Sequence, residues 1–377
     1  MKVDVRIAEN CGFFKGSAAN YIQQPLNVEA NYRNMRLRLN NSHVTQTEEK
    51  EVREGRVEVS FDNGLTWGTI CATNWSFREA NVICHQLNLG YAASTAQTLI
   101  YGDSKRYPWK MVGPVCQGTE ASLIECSREE RYPKFCNLNN NKVAVVRCDE
   151  KSPDLVLNIA HIRKSIHLVT KRLSALKCAM EEKCLSRDAY EIQTSPPEAE
   201  RKLLRFTTTA ENVGTADFFP YADYKSWQWH QCHNHYHSME EFATFDIYDM
   251  HYKKQAEGHK ASFCLEDTGC RRGVSRRHSC GNKTQGISVG CWDTYSAFID
   301  CQWVDVTRLI PHAFYVLRIV INPGCRIGEI SYENNVVECL LYYTGDQWTT
   351  FALSCVNASS KLQIDFWSKF KADLGIE

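Results

Sequence analysis

The sequence predicts a β-dominated α+β protein built from two disulfide-rich domains in tandem, and three observations carry that prediction. Eighteen cysteines in 377 residues are far more than a reducing compartment uses, whereas exported proteins use them as staples. Those cysteines fall into two sets, separated by the gap between Cys148 and Cys178. Short β-branched and aromatic runs with partial alternation outnumber helical patterns. About nine bridges are expected if every cysteine pairs. The 44 Lys and Arg balance the 44 Asp and Glu, which excludes a strong basic field for nucleic acid or membrane headgroups. Apolar residues make up 43% of the chain, enough to build cores for about two or three domains. No stretch of about 20 apolar residues is available for a transmembrane span.

Taken in order, residues 1–34 carry no clear period and read as a loose leader. The opening MKVDVRIAENCGFFKGSAAN lacks the apolar run of about 7–15 residues that an export signal needs. The cysteines outweigh that missing signal, so a secreted, extracellular protein is expected, with an incomplete N-terminus. A first domain spans 35–149. There MRLRL alternates, and REGRVEVSFDNGLTWGTIC gives two short strands around Asp62-Asn63-Gly64, a hairpin signal. A helix follows: Ser76 and Glu79 form a capping box, Ala80, Ile83, Cys84 and Leu87 recur at helical spacing, and Gly90 is the expected stop. Cys84 therefore faces the core. Six cysteines from Cys71 to Cys148 leave 15 pairings open, and on residues alone this domain reads as a binding module without chemistry.

The second domain, 150–360, is richer in strands: LLRFTTTAEN, EFATFDIYDM, KASFCLED and FYVLRIVINP. One helix is expected in LSALKCAMEEKCLS, where Leu173, Leu176, Ala179 and Met180 recur at helical spacing. Residues 361–377 form a tail. Glycosylation sequons stand at Asn40, Asn74, Asn282 and Asn357.

The densest constellation is Trp229-His230-Gln231-Cys232-His233-Asn234-His235-Tyr236-His237, which holds four of the 12 histidines. On one continuous strand, side chains two apart share a face at about 6.6 Å. His233, His235 and His237 are then expected on one face and His230 on the other. Clustered imidazoles suit copper or zinc better than calcium or magnesium; the bland alternative is a run of surface histidines. Two further runs are GHKASFCLEDTGC around Lys260 and GCWDTYSAFIDCQW around Tyr295. Alone, the lysine reads as a solvated charge and the tyrosine as core.

EGRVEVSFDNGLTWGTIC, NWSFREANVICHQLNLG and GPVCQGTEASLIEC resemble a scavenger receptor cysteine-rich (SRCR) domain across 35–149. The resemblance implies a curved antiparallel sheet cradling one helix, with bridges Cys71–Cys136, Cys84–Cys148 and Cys116–Cys126. Calcium-binding relatives carry acidic residues before the last cysteine; this chain has NLNNNKVAVVRC, which argues against metal-dependent ligand binding there.

WHQCHNHYHSMEEF, GHKASFCLEDT and GCWDTYSAFIDCQW resemble the lysyl oxidase family over about 152–360, in its branch where SRCR domains precede the catalytic domain. That implies a disulfide-rich, loop-rich β catalytic domain with Cu2+ on His233, His235 and His237 and His230 as an auxiliary. Lys260 and Tyr295 would be the two halves of a cross-linked cofactor, lysine tyrosylquinone. The implied bridges are Cys178–Cys232, Cys184–Cys301, Cys264–Cys280, Cys270–Cys291 and Cys339–Cys355, with Cys11 and Cys325 left over. A Ca2+ site is implied at Asp154, the Leu155 carbonyl, Glu329, Asn334 and Asn335, although Ser331 stands where relatives have aspartate. Asp293, two residues from Tyr295, would share its strand face as catalytic base or as a structural acceptor. The implied activity is oxidative deamination of peptidyl lysine to allysine in collagen-like or elastin-like matrix proteins, with release of hydrogen peroxide and ammonia. The rival readings are a non-catalytic scavenger-type binding protein on an oxidase fold, and a zinc-bound form that never assembles the quinone.

Overall fold

A computed structural model describes residues 34–41, 52–71, 75–102, 107–112, 114–128, 142–191, 196–221, 224–232, 235–281, 284–346 and 350–358. The leader up to residue 33, the tail, Asn74, Cys136, His233 and Asn282 lie outside them, as do the side chains of His235 and Lys260. The chain divides into two compact units. One holds the described residues up to Pro153 together with Cys325–Ser331; the other holds Asp154–Gly324 and the residues from Tyr332 onward.

In the first unit, β1 (Arg36–Asn40), β2 (Glu54–Ser60), β3 (Gly68–Cys71), β4 (Tyr91–Thr98) and β8 (Val143–Asp149) form a sheet in the order β1-β2-β3-β8-β4. β5 (Trp109–Val112) lies parallel to β3, and β6 (Pro114–Val115) with β7 (Ser127–Arg128) makes a small separate ribbon. The turn between β2 and β3 holds Asn63 at φ 56° and Gly64 at φ 90°, the left-handed conformation those residue types tolerate. Asp62 accepts the Ser60 hydroxyl at 2.6 Å and the Thr66 amide at 2.8 Å, which locks that turn. Helix α1 (Phe77–Gln86) carries the capping box of Ser76 and Glu79. It buries Ala80, Ile83 and Cys84 in one cluster with Val57, Val59, Ile70 and Val146. Cys84–Cys148 ties helix to sheet, and Cys116–Cys126 closes a short loop. Cys71 is disulfide-bonded, with a partner outside the described residues.

Two expectations change here. The helix ends at Leu87, and Asn88 at φ 58° makes the left-handed exit, so Gly90 is not the stop. Gly90 is needed for close approach, because a Cβ there would stand 2.3 Å from the Asp149 carbonyl. The second change is the segment Cys325–Ser331, far along the chain, which completes this unit. The Asn81 amide of α1 donates to the Glu329 carbonyl at 3.0 Å while accepting the Ala92 amide at 2.7 Å.

The second unit is built from several small sheets. β9 (Leu155–Leu157), α2 (Ile159–Ser165), β10 (His167–Arg172) and α3 (Lys177–Glu181) open it. LLRFTTTAEN is broken into β11 (Glu200–Arg205) and β12 (Thr208–Asn212), which join different sheets across a corner at Phe206, itself fully buried. The expected helix in LSALKCAMEEKCLS is also divided, into a 3-10 turn at Leu173–Ala175 and α3. β13 (Gln228–His230) and β14 (His235–His237) form a two-stranded ribbon. Next come β15 (Met239–Tyr248), β16 (Lys254–Phe263), β17 (Gly269–Cys270), β18 (Cys291–Tyr295), β19 (Trp303–Asp305), β20 (Ala313–Ile321), β21 (Val336–Tyr343) and β22 (Phe351–Asn357). The largest sheet here runs β16-β15-β20-β21-β22, a second runs β17-β18-β12-β9, and a third β10-β11-β19. β20 is apolar and buried along nearly its whole length, as a central strand covered on both faces must be. Phe206 meets Phe245 edge-on at 5.0 Å, which packs the corner of β11 and β12 against β15.

Candidate active site

The histidine run is not one strand. It folds as the β13–β14 hairpin, with His230 opposite His235 and Trp229 opposite Tyr236. The expectation that His230 points away from His237 is corrected. The imidazole of His230 stacks on that of His237, with ring centroids 4.0 Å apart and planes 16° off parallel. The opposite face of the ribbon carries Trp229 against Tyr236, edge-on at 5.0 Å. The continuous-strand reading failed because the chain reverses between His230 and His235, which adjacent sequence positions do not reveal.

Two anchors hold this hairpin. Cys178–Cys232 ties its turn to α3, and Glu182, just beyond α3, reaches His230 Nδ1 with Oε1 at 3.3 Å. His237 is buried at the end of the ribbon, and one residue later the chain enters β15.

β15 brings the second part of the site. It pairs with β16 so that Thr244 faces Lys260 and Met239 faces Phe263. Tyr295, the last residue of β18, lies against the end of β16. Its ring stacks on Phe263 with centroids 4.4 Å apart, packs near Phe242 of β15 at 5.4 Å, and its hydroxyl donates to the Cys264 carbonyl at 3.1 Å. Cys264–Cys280 and Cys270–Cys291 fold back the loop that separates Lys260 from Tyr295 in sequence. The structure thus brings Tyr295 against Phe263, which lies three residues along the strand from Lys260.

Asp293 shares the buried face of β18 with Tyr295. Its Oδ2 accepts the Glu266 amide at 2.9 Å, and its carboxyl lies beside the Tyr295 hydroxyl, whose proton goes to the Cys264 carbonyl. Burial pushes the Asp293 carboxyl up to about 7, partly offset by its hydrogen bonds. Burial, with the Asp293 charge beside it, holds the Tyr295 phenol well above its ordinary value. A carboxyl poised near neutrality beside a buried phenol can take and return a proton.

The remaining sites are simply placed. Asn334 donates to Asp154 at 2.9 Å and Asn335 is buried, while Glu329 belongs to the first unit. Cys184–Cys301 and Cys339–Cys355 complete the described bridges of the second unit, and Cys325 is bonded to a partner outside the described residues. The Asn40 amide is engaged by the Glu58 carboxylate at 3.2 Å, and Asn357 ends β22, half-buried. Residues that sequence reasoning missed are Glu182, Glu266 and Gln285. Glu266 lies inside the quoted run GHKASFCLEDTGC and Glu182 inside LSALKCAMEEKCLS; nothing in spacing or composition marks Gln285.

A lysyl oxidase family model matches residues 153–355, and a scavenger receptor cysteine-rich domain model matches 47–149. Lysyl oxidase homolog 2A of Danio rerio is 44% identical over 321 residues, covering 84% of this chain and 43% of that protein. Lysyl oxidase homolog 2 of Homo sapiens is 44% identical over 298 residues, covering 78% and 38%. The chain therefore spans about two-fifths of the length of these relatives. The third SRCR domain of murine neurotrypsin aligns with 30% of this chain and 96% of that chain at 34% identity, with a TM-score of 0.24. No helix among the described residues is long and apolar enough to cross a membrane. Since the lysyl oxidase match covers more than half of the chain, and relatives of that name match most of it, the chain belongs to the lysyl oxidase family and carries an SRCR domain ahead of its oxidase domain.

Proposed function

We propose that the protein is a secreted protein-lysine 6-oxidase that converts peptidyl lysine to allysine in collagen-like or elastin-like matrix proteins and so starts their cross-linking. The overall change is balanced by one dioxygen and one water per lysine: the aminomethyl carbon is oxidised to an aldehyde, the nitrogen leaves as ammonia, and dioxygen is reduced to hydrogen peroxide. Family membership supports the oxidase class. The observation that carries the finer reading is Tyr295, buried under Phe263 and Phe242 at the end of the Lys260 strand, with Asp293 at its hydroxyl.

The donor set fits copper, because the hairpin gathers imidazole nitrogens, with two rings stacked at 4.0 Å. His233, His235 and His237 would hold the ion, with His230 oriented behind them by Glu182. Copper with a quinone made from Tyr295 and Lys260 supplies an electrophilic carbonyl and a two-electron sink. Everything else falls to ordinary side chains. Phe263 and Phe242 exclude water from the tyrosine ring. The Cys264 carbonyl fixes its hydroxyl in one direction. Asp293, ionised, takes the proton from the substrate carbon and, protonated, returns it.

In copper-loaded protein, peptide mass spectrometry is expected to recover the Lys260 and Tyr295 peptides covalently joined. Recovery of both as separate, unmodified peptides would overturn the cofactor assignment and favour the binding-protein reading. Lys260→Arg is expected to abolish amine-dependent peroxide release.

A further inference from the structure

The geometry points to Gln285 as a positioning residue that fixes the histidine hairpin to the backbone that holds Tyr295. Gln285 sits in the loop between Cys280 and Cys291, and its side chain is only 1% exposed. Its Oε1 accepts the Leu265 amide at 3.2 Å, and its Nε2 donates to the Tyr236 carbonyl at 2.7 Å, with a longer contact to the Cys280 carbonyl at 3.4 Å. Leu265 directly follows Cys264, whose carbonyl accepts the Tyr295 hydroxyl. Tyr236 stands between His235 and His237. One amide group therefore binds the peptide unit next to the tyrosine with its acceptor, and the peptide unit between two histidines with its donor.

The chemistry of this clamp is specific to glutamine. One end must accept and the other must donate, over a span that no shorter amide covers. A carboxylate at 285 keeps the bond from Leu265 but sets its second oxygen against the Tyr236 carbonyl, two acceptors with no proton between them. An apolar side chain loses both bonds, leaving the buried Leu265 amide without this acceptor and the Tyr236 carbonyl without this donor. Because the Gln285 loop is closed by Cys264–Cys280 and Cys270–Cys291, the clamp is mounted on a stiff support. The hairpin forms a sheet of only two strands, and an isolated ribbon is marginally stable. Gln285 acts through His235 and His237, and its effect on metal rests on the copper reading above.

The test uses the full chain with Gln285→Glu and Gln285→Met, read by hydrogen-exchange mass spectrometry of the peptide spanning β13 and β14 and by copper titration against a competing chelator. Both variants are expected to exchange faster across 228–238, with the 239–248 peptide unchanged, and to bind copper about 10–100-fold more weakly, the range seen when an orienting partner of a metal ligand is removed. Gln285→Glu keeps the Leu265 bond, so it is expected to retain the wild-type melting temperature more closely than Gln285→Met while losing copper affinity to a similar degree. Unchanged exchange in the hairpin with unchanged copper affinity in both variants would overturn the clamp. If the wild-type protein binds no copper, the proposed activity fails, and the exchange measurement alone decides the clamp.

Discussion

At position 293 a carboxyl is fully buried, and burial raises it to about 7. If Asp293 takes the substrate proton, it must be ionised to do so, so kcat/KM is expected to rise with pH through about 7. Asp293→Asn is expected to remove that ascending limb and to lower kcat by about 10²–10⁴, measured as peroxide release across pH 5–9. A structural role alone would leave the limb in place. The stability effect has the opposite direction. A carboxyl whose folded value is raised binds its proton more tightly when folded, so it stabilises the fold below its ordinary unfolded value near about 4. That contribution is lost as pH rises toward about 7, where ionisation of a buried group opposes folding. Asp293→Asn is therefore expected to melt higher than wild type above neutral pH, with the gap closing toward pH 4. That Asp293 shares a face with Tyr295 was legible from their spacing of two on a strand. Its proximity to neutrality was not, because burial depends on Phe263, Glu266 and Cys264 arriving from another part of the chain.

The β13–β14 ribbon is a sheet of only two strands, and Cys178–Cys232 secures it to α3. Replacing both cysteines by serine is expected to cost about 2–4 kcal/mol and to weaken copper binding as well. The matched replacement at Cys339 and Cys355 is a control, because those residues face each other on two strands already paired with one another; it is expected to lower the melting temperature and leave copper affinity unchanged. Equal copper affinities in the two double variants would show that the bridge does not hold the hairpin. The strands themselves were legible where alternation or an apolar run was long, as in β15 and β20. They were misread where the chain turns a corner: LLRFTTTAEN divides at Phe206, and the histidine run reverses between His230 and His235. Local pattern records which residues are apolar, not which sheet a strand joins.

For the molecule as a whole, buried cores and disulfide bridges hold the fold. Stripping copper is thus expected to leave the circular dichroism spectrum unchanged, with cooperative melting retained, whereas reduction of the disulfides abolishes it. Loss of structure on chelation would instead mean that metal carries folding energy, as in small zinc domains. The unit containing α1 also depends on a distant segment. A Cβ on Gly328 would stand 2.2 Å from the Ala92 carbonyl, so Gly328→Ala is expected to destabilise this unit, seen as a lower denaturation midpoint. No domain boundary placed between Cys148 and Cys178 anticipates that contact.

Composition and cysteine spacing determined the class: an oxidised, β-dominated chain with two cysteine sets, and motifs long enough to identify both domains. The types of residue needed for the chemistry, imidazoles, a lysine and a tyrosine, were also present in the sequence alone, because chemistry selects residue type. Cysteine spacing left 15 pairings open for the first domain, and the bridges of the described residues are a property of the fold. Tertiary structure alone decided that His230 stacks on His237, that Tyr295 lies under Phe263, and that Gln285 reaches both parts of the site. Each of these contacts joins segments whose separation in sequence carries no signal, and only the closing of loops by disulfides and sheets brings them within hydrogen-bonding distance.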